Sequence, residues 1–265
     1  MLNLEKSEFL SKEEVRTLAP SVFGEASAPK TSEKYVHIPT SVLIDDMDLL
    51  GWKVADVKEV KAHKDNTLGF QKHLLIFRNP DINITGKDGD DVFPQICISN
   101  SHDGNSCFLL VAGLFRMICE NGLIITTEEF ENLKIRHMGY NFDELQEQVR
   151  LMVERLPLTV ETMNKMKNTE LRDTQIVDFA RKAVRTRLGK GDQTVDIETL
   201  ITPSRKEDEG KDLWTVFNVL QEKLINGNFE YRSKNKIRKA REIKNFSQDQ
   251  ELNKDLFRLA LSYAA

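Results

Sequence analysis

The spacing of apolar residues changes near residue 140, and this change constrains the fold more than any other feature of the chain. Before it, segments such as residues 73–79 and 93–99 are rich in β-branched and aromatic residues and lie between turn formers, a pattern typical of antiparallel strands. After it, apolar residues recur every three or four positions, which predicts amphipathic helices. The expected fold is α+β, with an antiparallel β-sheet core packed by helices and a mainly helical C-terminal half.

We place the domain boundary near Tyr140, so that residues 1–140 form an α+β core domain and residues 141–265 a helical C-terminal region with a basic loop. A chain of 265 residues is close to the length at which one hydrophobic core gives way to two. No repeat of fixed period is visible, which argues against solenoids and propellers.

Capping signals predict two helices in the first half. Ser11 and Glu14 form a capping-box pattern, and the helix that they begin should end before the next proline. Thr40 or Ser41 can cap a second helix, for which Gly51 supplies the residue after the C-terminus.

A sheet is predicted between this second helix and the middle of the chain. Residues 52–62, 73–79 and 93–99 have strand character, and residues 107–113 continue it. Residues 114–122 have apolar positions at helical spacing followed by a glycine, so we expect a helix that packs on the sheet.

Four segments of the second half have helical spacing. They are residues 142–153, 171–184, 213–225 and 252–264. Pro157 is expected to separate the first from the second, because proline interrupts the hydrogen bonding of a helix.

Composition excludes two classes of protein. Apolar residues make up 40% of the chain and charged residues 30%, which is too apolar for wholesale disorder. No apolar run is long enough to cross a bilayer, so a cytoplasmic protein without membrane contact is expected. Cys97, Cys107 and Cys119 are an odd set without a CxxC pair, and we expect buried free thiols.

Basic residues are concentrated in two places, although the net charge is −4. Residues 232–244 contain seven Lys or Arg and one Glu, and a second cluster lies between residues 181 and 190. Such tracts either bind polyanions or form a solvated surface balanced by acids elsewhere. The candidate phosphate contacts are Arg232, Lys234, Lys236, Arg238, Lys239 and Arg241, with Arg181, Arg185 and Arg187 as a second track. Phe229 and Tyr231 beside the tract could stack on bases or anchor the loop.

The segment NSHDG has two interpretations. An imidazole and a carboxylate on one turn could act as acid and base or hold a metal, whereas Asn, Ser, Asp and Gly also stabilise turns by bonding their own backbone. The residues of this candidate functional turn are Asn100, His102, Asp103 and Arg116. The five histidines have no metal-ligand spacing, and neither GKDGD nor LGKGD is a phosphate loop. No catalytic motif, metal site or cofactor is therefore predicted, and a metal-dependent nuclease around His102 and Asp103 is the enzymatic alternative.

Several segments together resemble a family of plasmid and prophage proteins called domain of unknown function 932. The similarity extends almost end to end, and the segments that carry it are PSVFGE, YVHIPT, NSHDGNS with GLFRMICENGL, PSRKEDE before DLWTVFNVLQEKLINGN, and the basic stretch before LNKDLFRLA. The resemblance implies carriage by mobile elements and a basic loop before the last helix. Relatives often have serine-arginine-arginine where this chain has Ser204, Arg205 and Lys206, which puts a bidentate arginine role there in doubt.

The order of elements from LLGWKV to ENGL is also similar to that of Red-beta-like single-strand annealing proteins, an analogy of fold alone. The leading hypothesis is a non-catalytic, mobile-element-encoded protein that binds or anneals single-stranded DNA in recombination or in plasmid or phage establishment. The rival is an anti-defence protein that binds a host restriction or nuclease system through acidic residues 88–91 and 128–131. Homo-oligomers and monomers both remain compatible with the sequence.

Overall fold

A computed structural model describes most of the chain. The described residues are 9–31, 35–61, 68–82, 92–104, 108–116, 121–123, 141–189, 191, 193–227, 229–234 and 236–264. The chain divides into two compact units, one of residues 1–117 and 126–154 and the other of residues 118–125 and 155–265.

The first unit has the α+β organisation that the sequence predicts. Its helices and strands follow one another as α1 (Lys12–Leu18), α2 (Thr40–Leu49), β1 (Lys53–Glu59), β2 (His73–Arg78), β3 (Val92–Asn100) and β4 (Leu109–Arg116), and a 3₁₀ turn covers Pro20–Phe23. The capping box at Ser11 and Glu14 is present, because each residue's side chain bonds the backbone N–H of the other.

Strands β1 to β4 pair antiparallel in chain order. The predicted helix over residues 114–122 is wrong where the structure describes it, because residues 114–116 extend β4 along β3. Residues 121–123 form the short strand β5 (Asn121–Leu123). An apolar run such as LLVAGLF suits a buried strand and a buried helix equally well by periodicity, and pairing with β3 decides between them.

One face of the sheet is covered by helices through a shared apolar core. Leu43 and Met47 of α2 are fully buried in the same cluster as Phe77, Ile96 and Ile98 of the sheet. Removal of this apolar surface from water is the main stabilising contribution to the unit. The helix α2 ends as predicted, with Gly51 in the left-handed conformation at φ +82°.

The second unit is mainly helical, as predicted for the C-terminal half. Its elements are the later part of α3 (Phe142–Lys167), then α4 (Asp173–Leu188), β6 (Thr194–Val195), α5 (Ile197–Ile201), α6 (Leu213–Asn226), β7 (Glu230–Ser233), β8 (Lys236–Lys239) and α7 (Phe246–Leu261), with a 3₁₀ turn at Lys206–Asp208.

Pro157 does not end its helix, contrary to the sequence prediction. Helix α3 is 26 residues long and continues past Pro157. Proline removes one backbone N–H and needs room for its ring, and at this position the ring is exposed. Burial of Met152 before it and of Met163 after it holds both halves of the helix in place.

Helix α6 lies at the centre of the second unit. Nine of its 14 residues are buried, and they cover most of the circumference apart from a half-buried polar face of Thr215, Glu222 and Asn226. Helices α4, α5 and α7 all pack on it. Phe217 is 5.9 Å from Phe257 of α7 and 6.1 Å from Trp214, measured between ring centroids. A helix such as α6, with apolar residues over most of its circumference, is stable only when other elements pack around it.

Two other expectations concern single features. Cys97 is a buried thiol that is not part of a disulfide, as expected, while the other two cysteines lie outside the described residues. Within the described part of the chain, no helix has both the length and the apolar character needed to cross a membrane.

Replacement of Phe217 by alanine should lower the free energy of unfolding of the second unit by about 3–5 kcal/mol, because a buried ring leaves a cavity. Trp52 and Trp214 lie in different units, so urea denaturation of a Trp52→Phe background reports the second unit through Trp214. Leu158→Ala is the control, since its side chain is 49% exposed and should cost less than about 0.5 kcal/mol. Equal effects of the two substitutions would contradict the central role of α6.

Candidate nucleic-acid interface

The basic tract predicted as a loop is mostly a β-hairpin. Strands β7 and β8 pair antiparallel, from Glu230 opposite Lys239 to Ser233 opposite Lys236. Lys234 at the connection has φ +46°, the left-handed conformation that tight hairpin connections require. Strand β6 pairs with β7, so β8 is the edge strand of a three-stranded sheet. We call β7, β8 and their connection the basic hairpin.

The edge strand β8 is exposed along its whole length. All four of its side chains, Lys236, Ile237, Arg238 and Lys239, are open to solvent. Side chains alternate between the two faces of a strand, so Lys236 and Arg238 lie on one face and Lys239 on the other. The strand therefore presents positive charge in both directions.

Cations of the basic hairpin are not neutralised locally. Among the described residues, none of the six predicted phosphate contacts from Arg232 to Arg241 forms an ion pair. The one acid on the two strands, Glu230, stands opposite Lys239 without an ion pair within 4.0 Å. A cluster of like charges repels itself and attracts polyanions.

One backbone hydrogen bond and one close approach attach the hairpin to the end of α6. The amide of Ile243 donates to the carbonyl of Ile225 at 2.9 Å, while the amide of Ala240 donates to the carbonyl of Phe229 at 2.9 Å and so continues the pairing of β7 with β8. Gly227 follows α6 in the left-handed conformation, and a Cβ there would lie 2.4 Å from the carbonyl carbon of Arg241. The chain leaving β8 therefore passes over a position that only glycine can occupy.

The second basic cluster is divided by the structure. Arg181 and Arg185 are exposed on α4, as the sequence predicts for a shared face. Arg187 is half-buried, and its guanidinium donates to the carbonyls of Leu224 at 3.0 Å and Arg241 at 2.9 Å. Burial lowers the pKa of Arg187, and the charge interaction with Tyr231 acts in the opposite direction. Arg187 thus fastens the hairpin to α4 and α6, a role that the sequence did not indicate.

The aromatic residues beside the tract have different environments. Phe229 is 3% exposed and anchors the hairpin in the core. Tyr231 is half-buried and stands opposite Arg238 across the strands. Only Tyr231 retains an accessible surface.

The NSHDG turn lies in the first unit and is largely enclosed. Asn100, Ser101 and His102 have no exposed surface. The amide of Ala28 donates to the His102 carbonyl at 2.8 Å, and Gly24 packs so closely that a Cβ there would lie 2.9 Å from the His102 ring. Asp103 remains partly exposed and accepts a hydrogen bond from the Ser101 hydroxyl at 2.8 Å.

Asn100 begins a buried chain of hydrogen bonds. Its side-chain amide donates to the Thr40 hydroxyl at 2.9 Å, and that hydroxyl lies 2.8 Å from Nε2 of His73. Nδ1 of His73 lies 3.1 Å from the carbonyl of Gln71 and 2.9 Å from the Ser21 hydroxyl. A carbonyl can only accept, so Nδ1 carries the proton and Nε2 accepts from Thr40. Thr40 therefore serves His73 rather than capping α2, whose N-cap residue is Pro39 without a side-chain bond.

Three histidines that are distant in sequence converge next to this chain. The ring of His102 is 4.5 Å from that of His37 and 5.2 Å from that of His73, between centroids. Burial is the main cause that lowers the pKa of His73 to about 3, and it also lowers the pKa of His37. No spacing rule could have grouped residues 37, 73 and 102. Among the described residues, no group of three or more His, Cys, Asp or Glu is placed to hold a metal.

Arg205 resolves the question raised by the missing second arginine. Its guanidinium contacts both carboxylate oxygens of Glu222 and donates to Asp208 at 3.0 Å. Arg205 therefore makes a bidentate contact in this chain, and this contact joins the 3₁₀ turn at Lys206–Asp208 to α6.

Other predicted contact residues lie outside the described part of the chain. The acidic stretches 88–91 and 128–131 lie outside the described residues, as does the side chain of Arg116, whose backbone ends β4. The similarity of element order to annealing proteins weakens at residues 114–116, where a strand replaces the expected helix.

Comparisons with known proteins agree with the resemblance found in the sequence. The model of the family "Domain of unknown function (DUF932)" matches residues 30–257. Two proteins of Escherichia coli (strain K12), "UPF0380 protein YafZ" and "UPF0380 protein YfjQ", are each 30% identical to this chain over 252 residues, covering 95% of it and 90% of each relative. No solved structure matches the chain.

Gly227→Ala should detach the hairpin from α6, because the new methyl group would collide with the backbone of Arg241 and Glu242. Hydrogen exchange at the amides of Ala240 and Ile243 should accelerate at least about ten-fold. Gly189→Ala is the matched control: its φ is +89°, but a Cβ there has nothing within 4 Å, so only the backbone strain of about 1–3 kcal/mol applies. The same exchange pattern in both variants would refute the close approach.

Acid should destabilise the first unit through His73. Its folded pKa of about 3 is below the ordinary 6.5, so the unfolded state binds more protons between these values and stability falls as the pH falls through this window. The loss from pH 7 to pH 5 should be about 2 kcal/mol. His73→Gln should flatten this dependence by that amount in urea titrations followed by Trp52 in a Trp214→Phe background. Parallel pH curves for the two proteins would contradict the assignment.

Proposed function

The chain belongs to the DUF932 family, and from that premise we propose that it is a non-catalytic protein that binds single-stranded DNA on its basic hairpin. In this proposal it serves the recombination or the establishment of a mobile element. The observation that carries the proposal is strand β8, an edge strand with four exposed side chains, three of them cationic, and without an ion pair among the described residues.

Positive charge at this density is suited to a polyanion. Each phosphate that a lysine or arginine neutralises releases counterions, which favours binding at low salt. Arg232 lies on the strand beside β8, and Lys234 and Arg241 flank the two strands, so the cations extend over the whole hairpin. Arg181 and Arg185 supply a second exposed pair in the same unit.

A groove-reading helix is not the element that would make this contact. Helix α6 precedes the hairpin directly, but most of its circumference is buried, and its half-buried polar face carries Glu222, which is paired with Arg205. The exposed part is the hairpin, and backbone contacts from cations provide affinity without base sequence. Binding that depends little on sequence is the expected behaviour.

The edge strand also bears on self-association. Two copies that paired through β8 would bring their lysines and arginines opposite one another, which is unfavourable. The same charges that attract DNA therefore oppose a dimer through this edge.

The triple substitution Lys236→Gln, Arg238→Gln and Lys239→Gln should abolish tight binding to a labelled single strand in anisotropy titrations. It should also reduce the slope of log Kd against log salt by about 2, given roughly 0.7 per phosphate contact on single strands. The control is Lys58→Gln, Lys61→Gln and Lys165→Gln, which changes the net charge equally at exposed positions that are not part of the hairpin.

Three outcomes would contradict the proposal in whole or in part. If both triple variants weaken binding equally, net charge rather than the hairpin is responsible. If the unaltered protein binds neither single strand nor duplex at low salt, the search should turn to a protein partner, the rival that the sequence left open. Equal affinity for strand and duplex would retain the hairpin and refute the single-strand preference.

A further inference from the structure

One face of the basic hairpin is exposed on every strand. Side chains that are paired across strands point to the same face, so Arg232 lies beside Ile237 and also beside Thr194 of β6. Glu230 and Lys239 lie on this face as well, and all five side chains are exposed. This face therefore covers no core.

Ile237 is the apolar member of this face. Its side chain is 65% exposed, and the cations on the same face are Arg232 and Lys239. Single exposed apolar residues are common on protein surfaces, and a β-branched residue also favours a strand. A threonine would meet the second requirement without exposing an isoleucine, so strand preference alone does not select Ile.

We infer that Ile237 packs against the bases of a bound single strand while the cations around it contact the phosphates. This inference rests on the proposed function and specifies which part of the ligand the hairpin recognises. Faces of unpaired bases are apolar and accessible, whereas stacking in a duplex hides them. Contact with Ile237 would bury apolar surface on both partners, a contribution that salt does not screen.

This arrangement separates two sources of affinity on one face of the hairpin. Arg232 and Lys239, which share the face of Ile237, supply a term that weakens with salt, and Ile237 supplies a term that does not. The second term requires exposed bases and so gives a preference for unpaired strands. Arg232, directly across from Ile237, is positioned to contact the phosphate next to such a base.

The test combines one protein substitution with one ligand change. Ile237→Thr keeps the β-branched shape and removes the apolar contact. The two ligands are a labelled oligothymidylate and an abasic strand of the same length, which keeps the phosphates and lacks the bases. Ile237→Thr should weaken binding to the oligothymidylate about ten-fold, leave binding to the abasic strand unchanged, and leave the salt slope unchanged on both.

The control variant is Val60→Thr, a similar change at a side chain that is 55% exposed beyond the end of β1. It should bind both strands as the unaltered protein does. Protection of the Ala240 amide from hydrogen exchange verifies that the hairpin remains formed in Ile237→Thr.

Each contrary result has a separate meaning. Equal affinities of Ile237→Thr and the unaltered protein for oligothymidylate would overturn the inference and leave the proposed function intact. Equal weakening on both ligands would also overturn it, because the effect would then not depend on bases. Failure of the unaltered protein to bind either ligand would remove the proposed function and this inference together.

Discussion

Burial of α6 is the constraint on which the second unit depends. The segment LWTVFNVLQEKLI is apolar on nearly every side, so it is stable only when other elements surround it. Helices α4, α5 and α7 provide that cover. Two of its buried polar side chains are also satisfied, since Gln221 donates to Asn253 of α7 at 2.9 Å and Asn218 donates to the backbone of Trp214 at 2.8 Å.

The exposed hairpin is a consequence of the same arrangement. Because α6 is enclosed, the chain that leaves it at Gly227 has to turn outward, and its return passes over that glycine. Arg187 secures this crossing by donating to the last turn of α6 and to the strand's exit. Positive charge is thus held on paired strands rather than on an irregular loop, which lowers the entropic cost of ordering it on a ligand.

In the first unit, residue types that are common in active sites have a structural role. Asn100, Thr40 and His73 form a chain that satisfies every polar group it buries, and the imidazole is held neutral at physiological pH. The sequence suggested either chemistry or a turn for NSHDG. Complete burial of Asn100 and His102 favours the turn, in which both residues stabilise the fold.

Local sequence determined the elements that depend on short-range contacts: the capping box at Ser11, the glycine end of α2, the strands of the sheet and the amphipathic helices. It also contained the family motifs and the basic tract. Tertiary structure decided what long-range contacts control. Residues 114–116 form a strand because β3 is available to pair with them. Pro157 is tolerated inside α3 because Met152 before it and Met163 after it are buried. Arg187 donates to the carbonyl of Arg241, 54 residues away in the sequence. The rings of three histidines that are distant in sequence lie close together in the first unit. Periodicity encodes which face of a segment is apolar, but it carries no information about which partner that face or side chain will meet.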